Sequence, residues 1–392
     1  MEFPEISNMQ ASKGTDCPFG GFLPSGKSLV CGEPLMLLDK KGGVVMLKEM
    51  NRRDFLKATA VTGTLFLTGD ILQKGALAQG LVKIPEAENI AITVITDNYT
   101  DALRPHYKIA RRPATSPLDD ILHAEHGLAY HVETVVNAQS HSFLFDFASF
   151  FPGVKRNIEL LKIDLKRIEA LALSHDHLDH QAALVELLKA KRADIPQGIP
   201  FYVGENFFVG TYVRPPGGKV DSLLALKRED VEGIGLVKIV EVRTPSPIVQ
   251  GAYLTGRVEQ VTDYERIPPI FVSKKGDQFV QEDFIGEQAI VFNAKGKGLV
   301  VLSGCAHRGI VNTVRHAQKM TGIEKVHAVI GGFHLTGAKP ELIQRTVADI
   351  KAIRPDYIVP THCTGYEAIA AFAREMPDQF ILNTAGTKYI IS

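Results

Sequence analysis

Seven residues constrain this chain more than any others. Ser174-His175-Asp176-His177-Leu178-Asp179-His180 gathers three of the 13 histidines and two aspartates into one short run. A hydrophobic core does not accept that density of ionisable groups unless they are paired or bound to something. Yet the run is pinned between apolar segments, "EALAL" (169–173) before it and "QAALVELL" (181–188) after it. The first reads as a buried strand and the second as part of a helix over 180–193. If the strand stays extended to its end, the side-chain period of two puts His175 and His177 on the same side. The turn into the helix then aims Asp179 and His180 at a nearby point. Imidazole and carboxylate donors together suit Zn²⁺, Fe or Mn²⁺ and do not suit Ca²⁺, which takes all-oxygen shells. Solvated histidines on a surface loop are the ordinary alternative, and the flanking apolar segments argue against it.

Any further ligands must come from distant sequence. "NIAITVITDNYT" (89–100), "LAYHVETVV" (128–136) and "HSFLFDFAS" (141–149) read as strands, the last two joined as a hairpin through 137–140. A helix is expected over 154–166, with Val154, Ile158, Leu161 and Leu165 near helical spacing. After 253–260 a strand-then-helix pattern occurs three times: "GLVVLSGCAH" with "GIVNTVRHAQKM", "KVHAVIGGFHL" with "PELIQRTVADIKAI", and "DYIVPTHCTG" with "YEAIAAFARE". Loops after the C-terminal ends of such strands gather at one edge of the sheet, so His307, His334 and His362 are expected close together. The middle of the chain, 204–250, is rich in Gly and Pro with weak periodicity and reads as an insertion or lid over the cluster.

The 44 basic and 44 acidic residues cancel, which gives no field for nucleic acid or an anionic membrane and points to a small-molecule substrate. The cysteines, Cys17, Cys31, Cys305 and Cys363, are too few and too scattered for a disulfide framework or a CxxC zinc site. Arg52-Arg53, followed by Phe55, Leu56, Lys57 and a short apolar run, resembles a twin-arginine export signal. Its apolar run is shorter than the roughly 20 residues that cross a bilayer, so no stable membrane span is expected. Ala76-Leu77-Ala78 offers a small-residue cleavage site. The expected organisation is a disordered upstream extension over 1–49 with the natural start at Met46 or Met50, a signal peptide over 50–78, and a catalytic domain over 79–392. The translocation machinery is then a partner, and the mature protein is periplasmic or otherwise exported.

His175-Asp176-His177-Leu178-Asp179-His180 resembles the HxHxDH signature of the metallo-β-lactamase-fold superfamily. "TDN" (96–98), "AEHGL" (124–128), "LFD" (144–146), "LTGRVEQVTDYE" (254–265), "SGCAHRGIVNTV" (303–314), "GGFHL" (331–335) and "PTHCTG" (360–365) resemble one branch of it. That branch holds metal-dependent hydrolases related to the dihydropterin ribofuranosyl-aminobenzene phosphate synthase of methanopterin biosynthesis. The resemblance implies an α/β, four-layer αβ/βα fold, two β-sheets packed face to face with helices outside. It implies two divalent metal ions, zinc first, with Fe or Mn as alternatives. His175 and His177 would hold one ion, Asp179 and His180 the other, and His362 would complete the second site.

Cys305 stands where most members have an aspartate bridging both ions. His307 is therefore expected to ligate metal, with Cys305 beside it as a ligand or a reactive thiol. Asp179 is the expected catalytic group that orients the attacking water. His334 is a candidate general acid or substrate contact, or else a histidine satisfied by backbone at a strand end. Glu125 and His126 are substrate-binding candidates that could equally cap a turn, and Arg308 reads as an exposed helix-start residue. His177 replaces the glutamate of the flavodiiron branch, which disfavours oxygen or nitric oxide reduction. Gln181-Ala182-Ala183 replaces the usual small glycines, so the substrate rim is expected to differ. The implied function is metal-assisted hydrolysis of an ester, lactone or phosphoester. A pterin-transferring synthase and a non-catalytic metal-binding sensor are the alternatives.

Overall fold

The computed structural model describes residues 81–113, 120–223 and 225–392, together with the backbone of two short strands, Met36–Leu38 and Val44–Met46. Those two strands pair antiparallel, Met36 opposite Met46. The rest of the expected extension and the twin-arginine segment through Ala78 lie outside the described residues. The chain divides into two units, Met1–Ala78 and Gln79–Ser392, and the fold below is that of the second. Among the described residues no helix is long and apolar enough to cross a membrane.

Alternation along the strands builds the layers. In Asn89–Thr96, Ile90, Ile92 and Val94 face one way and Ile95 the other; in Gly298–Ser303, Val300 and Leu302 oppose Leu299 and Val301. Eight strands form the first sheet in the order Val237–Val242, Ile199–Gly204, Ala170–Ala172, Gln139–Phe147, Ala129–Val136, Asn89–Thr96, Lys388–Ile391 and Ala110–Arg111. The second runs Ser246–Val249, Ala252–Leu254, Ile290–Ala294, Gly298–Ser303, Val326–Gly332 and Tyr357–Thr361, with Glu86–Ala87 added beside Ile290–Ala294.

Three apolar clusters account for the packing. Ile92, Tyr130, Phe143 and Phe145 of the first sheet meet Leu254, Phe292, Val300 and Ile330 of the second, so the two sheets lie face to face. Leu144, Phe147 and Leu171 on the outer side of the first sheet pack on Val154, Ile158, Leu184 and Leu187 of the helices Phe151–Leu160 and Leu184–Ala190. Val301 and Val329 on the outer side of the second pack on Val314, Val347 and Phe372 of Ile310–Thr321, Pro340–Ile353 and Tyr366–Glu375. Each sheet buries both faces, which gives the four-layer αβ/βα architecture with helices outside.

Three boundaries differ from expectation. The helix expected over 154–166 is Phe151–Leu160, because Lys162 adopts φ 54° and breaks it; Leu165 reaches the same apolar cluster from a separate turn, Leu165–Arg167. The helix expected over 180–193 divides into Leu178–Gln181 and Leu184–Ala190. The segment 204–250 is not one cover. Val237–Val242 pairs parallel with Ile199–Gly204 at the edge of the first sheet, and Ser246–Val249 joins the second. Only Thr211–Val213 and Asp221–Ser222 stand apart, and they form a four-stranded sheet with Phe271–Lys275 and Gln278–Gln281.

Candidate metal centre

The strand Ala170–Ala172 ends five residues before His177, and 173–177 is irregular backbone. His175 and His177 converge all the same, with ring centroids 4.6 Å apart, because the loop is tied at its base. Ser174 donates its N–H and its hydroxyl to Asp146 at 2.7 and 2.8 Å, and its Oγ lies 2.9 Å from His175 Nδ1. That contact leaves His175 Nε2 facing inward, 3.2 Å from His307 Nε2. His177 serves as the N-cap residue of Leu178–Gln181, which places Asp179 and His180 in the first turn. His307 arrives from the loop after Gly298–Ser303, held there by Glu287, which accepts from His307 N–H at 2.6 Å and Arg308 N–H at 2.7 Å. His362 follows Tyr357–Thr361, with Nδ1 3.1 Å from Asn98 Oδ1.

The donors fall into adjacent groups. Ligand atoms of His175, His177 and His307 lie within 4.8 Å of one another, as do those of His175, His180 and Cys305, and those of His126, Asp179 and His362. Asp179 Oδ2 stands 3.0 Å from His362 Nε2 and 3.9 Å from His180 Nε2. His177 Nε2 is shut off from solvent without a hydrogen-bond partner, an arrangement that is costly unless a cation takes the lone pair. Burial pushes the pKa of His175 and His307 well down and that of His177 to about 3, so these imidazoles are neutral and able to ligate. Asp179, despite the raising effect of burial, is held far below the carboxylate range by His180 and His362. The donor set therefore fits divalent metal of the nitrogen-preferring kind.

The other expected residues take varied places. Cys305 Sγ lies 3.1 Å from His180 Nε2, and burial pushes its thiol well above its ordinary range. His334, at φ 45°, places its ring centroid 3.9 Å from that of His307 and shares a group with Cys305 and Cys363. His126 is exposed, with Nε2 3.4 Å from Asp179 Oδ2 and its ring stacked on His362. Glu125, expected against substrate, is a loop anchor: Oε1 accepts from Ser149 N–H and Phe150 N–H, and Oε2 meets His123 Nε2. Arg308, read as exposed, is buried, and its Nε donates to the Val258 carbonyl. The reason is that its loop turns inward under Glu287 before the helix begins.

No family model matches the chain. A solved metal-dependent hydrolase of the β-lactamase superfamily superposes with a TM-score of 0.58 at 23% identity, over 76% of this chain and 98% of that one. An uncharacterized protein of Methanocaldococcus jannaschii is 25% identical over 64% of this chain and 88% of its own length. From the same organism, 7,8-dihydropterin-6-methyl-4-(β-D-ribofuranosyl)-aminobenzene-5'-phosphate synthase is 30% identical over 306 residues, 76% of this chain and 96% of the synthase. The chain belongs to the family of that synthase, on the metallo-β-lactamase fold. The synthase is an enzyme, and the superposed structure is described as a metal-dependent hydrolase.

On this metallo-β-lactamase fold several groups shape the site whose roles the sequence does not give, even where they fall in the motifs that carry the resemblance, as at Asp146 and Asn98, or in the histidine run, as at Ser174. Asp146 and Ser174 position the histidine loop, Glu287 positions His307, and Asn98 positions His362. Phe284 stacks on His307 at 4.2 Å and 5°, and Phe271 lies 5.3 Å from His177. Phe271 comes from the separate four-stranded sheet, so that sheet, built from 211–222 of the expected insertion together with 271–281, lies against the ligands. Between it and the histidine loop is a cavity of about 340 Å³ lined by His175, Asp176, Thr211, Lys274, Phe284 and Glu287 among others. Asp176 accepts from the Thr211 hydroxyl at 2.9 Å, and burial raises its pKa to about 7.

Proposed function

We propose that this protein is a metal-dependent hydrolase acting on a small-molecule ester, lactone or phosphoester. The observation that carries the reading is the run of adjacent histidine and aspartate donors, with the unpartnered His177 Nε2 among them, beside a cavity of small-molecule size. His175, His177 and His307 would hold one divalent ion, and Asp179, His180 and His362 the other. Such ions lower the pKa of coordinated water toward about 7 and polarise a carbonyl or phosphoryl oxygen. Asp179, kept ionised by its histidine neighbours, accepts a hydrogen bond from the attacking water and orients it. His126, beside Asp179 and 70% exposed at its side chain, provides an exit for the proton. Phe271 and Phe284 keep the histidine rings out of bulk water. Zinc is the first choice of ion, since imidazole outnumbers carboxylate in both sets.

A second reading, a synthase acting like its M. jannaschii relative, is supported by the 30% identity along nearly the whole of that enzyme. The arms of one experiment separate the two. Zinc-loaded protein is assayed against phosphodiester, lactone and β-lactam substrates in ¹⁸O-labelled water, with and without chelator, and in parallel for formation of the relative's named product. Hydrolysis predicts chelator-sensitive turnover with label in the product. Loss of a ligand in His175→Ala should cost more than the roughly 10–100-fold typical of a group that merely supports a ligand. Fewer than one metal per chain, or turnover indifferent to His175→Ala, would sink the hydrolase reading. The reading includes export, supported by the Arg52-Arg53 leader and the Ala76-Leu77-Ala78 cleavage site. An Arg52→Lys, Arg53→Lys chain that still reached the periplasm would refute that part.

A further inference from the structure

We infer that Cys305, His334 and Cys363 form a metal site of their own, a Cys₂His set beside the histidine and aspartate centre that takes one zinc ion. The two Sγ atoms and a ring nitrogen of His334 lie within 4.8 Å of one another. Bond lengths of about 2.3 Å to sulfur and 2.0–2.1 Å to nitrogen set tetrahedral ligand separations near 3.5–3.8 Å. Closing the set therefore needs movements of at most about 1 Å. The three residues follow the neighbouring parallel strands Gly298–Ser303, Val326–Gly332 and Tyr357–Thr361, so the sheet edge itself fixes their spacing.

The surroundings are shaped for an occupant. Cys305 is 2% exposed and Cys363 6%; the Cys363 thiol faces the side chains of Cys305 and His334 and has a long contact, 3.6 Å, to the Cys305 carbonyl. His334 Nδ1 is shut off from water without a hydrogen-bond partner. His334 also holds φ 45°, a left-handed conformation that is strained for a non-glycine residue and is kept where the surroundings over-determine it. At Gly332 a Cβ would sit 2.7 Å from Cys363 Sγ and 3.3 Å from Cys305 Cα, so the absent side chain keeps the space beside the thiols open.

Charge selects the ion. A coordinating thiol is deprotonated outright, and two thiolates with one Zn²⁺ sum to zero, which a buried place tolerates. Monovalent copper would leave a net negative charge there. A disulfide, the other chemistry open to two adjacent thiols, would leave the His334 nitrogen unpartnered. Three protein ligands leave the fourth position open, the pattern of zinc sites that bind a water or substrate rather than purely structural ones.

The site is independent of the hydrolase reading and is tested without turnover. Zinc K-edge absorption of the full chain purified under reducing conditions should show a sulfur shell near 2.3 Å beside nitrogen and oxygen. Zinc content should fall by one equivalent per chain in Cys363→Ser, with the sulfur shell lost and the remaining zinc bound by nitrogen and oxygen. The wild-type spectrum decides even if that variant fails to fold. A zinc-replete wild type with no sulfur shell would overturn the site. So would sulfur scattering and zinc content unchanged in Cys363→Ser, since Cys305 alone would then be donating to the neighbouring centre. A Cys305–Cys363 disulfide in peptides from the reduced preparation would do the same. Failure of the hydrolase reading alters none of these readouts.

Discussion

Asp146 is wholly buried and takes three hydrogen bonds, from Ser174 N–H, Ser174 Oγ–H and His180 Nδ1–H. The last fixes the His180 tautomer, leaving Nε2 free as a donor atom for metal. Asp146→Asn offers an amide where a carboxylate is needed and frees His180 to take the wrong tautomer. Zinc affinity, measured by competition with a chromophoric chelator, is expected to fall about 10–100-fold. Unchanged affinity would show that His180 holds no metal. Asp146 falls in the motif LFD (144–146), but its role was not legible, because an aspartate closing an apolar strand looks like any strand end and its histidine partner lies 34 residues on. His175, His177, Asp179 and His180 were legible because they are contiguous between two apolar segments. A different histidine sets a pH response. His131 lies on the outer face of the first sheet, away from the metal ligands, and burial lowers its pKa from 6.5 to about 4. Between those values the unfolded chain binds the extra proton and the folded chain does not, so stability falls as pH drops from about 6.5 to 4. His131→Gln should flatten that slope, by at most about 3 kcal/mol, in denaturant titrations at both ends of the window. Parallel slopes in the two proteins would remove His131 as their source.

At the scale of elements, the helix Ile310–Thr321 shows how the loop before it is held. Glu265 accepts from Val311 N–H and Asn312 N–H, both at 2.9 Å, and supplies the negative charge that a helix N-terminus favours. Gly309 has φ 99°, and a Cβ there would meet the Glu265 carboxyl at 2.2 Å. Glu265→Gln is expected to cost about 1 kcal/mol in thermal unfolding. Gly309→Ala should cost more, about 2 kcal/mol or above, and should also weaken zinc binding, since His307 is two residues away. A Gly309→Ala protein with wild-type midpoint and zinc affinity would contradict this account. The helix itself was legible from its apolar spacing, as were its two successors. The break at Ala182-Ala183 was not. The Asp179 carbonyl accepts from Leu128 N–H at 3.0 Å, and Ala183 N–H turns to Ala148 at 3.3 Å, so long-range partners replace the helical bond that local sequence favours. The lid was misread for a similar reason. Its strands come from two distant segments, and the β-branched run Val237–Val242 between them was already committed to the first sheet.

Across the whole molecule, the candidate ligands come from both sheets. His175, His177, Asp179 and His180 follow a strand of the first, and His307 and His362 follow strands of the second. The strand-then-helix repeat made that meeting legible, because it placed the later histidines at one sheet edge before any contact was known. Its energetic consequence belongs to the fold as a unit. Without metal, neutral buried imidazoles such as His177 keep nitrogens that no protein group satisfies, and the two sheets are joined at this edge by packing and a few polar contacts, such as Gln288 N–H donating to the Ser174 carbonyl at 3.0 Å. Bound metal adds stability as RT ln(1 + [L]/Kd), about 4 kcal/mol at a thousandfold excess over Kd, because the unfolded chain lacks the assembled set. For a chain of this size that corresponds to a rise of about 5–6 °C in Tm. Dialysis against chelator should therefore lower the midpoint of a single cooperative transition by that amount, and zinc should restore it. His175→Ala should unfold near the metal-free midpoint and respond less to added zinc. If stripping zinc left the wild-type midpoint where it was, the donor sets would be held by the protein's own contacts, and the assignment of His175, His177 and His307 as ligands would fail.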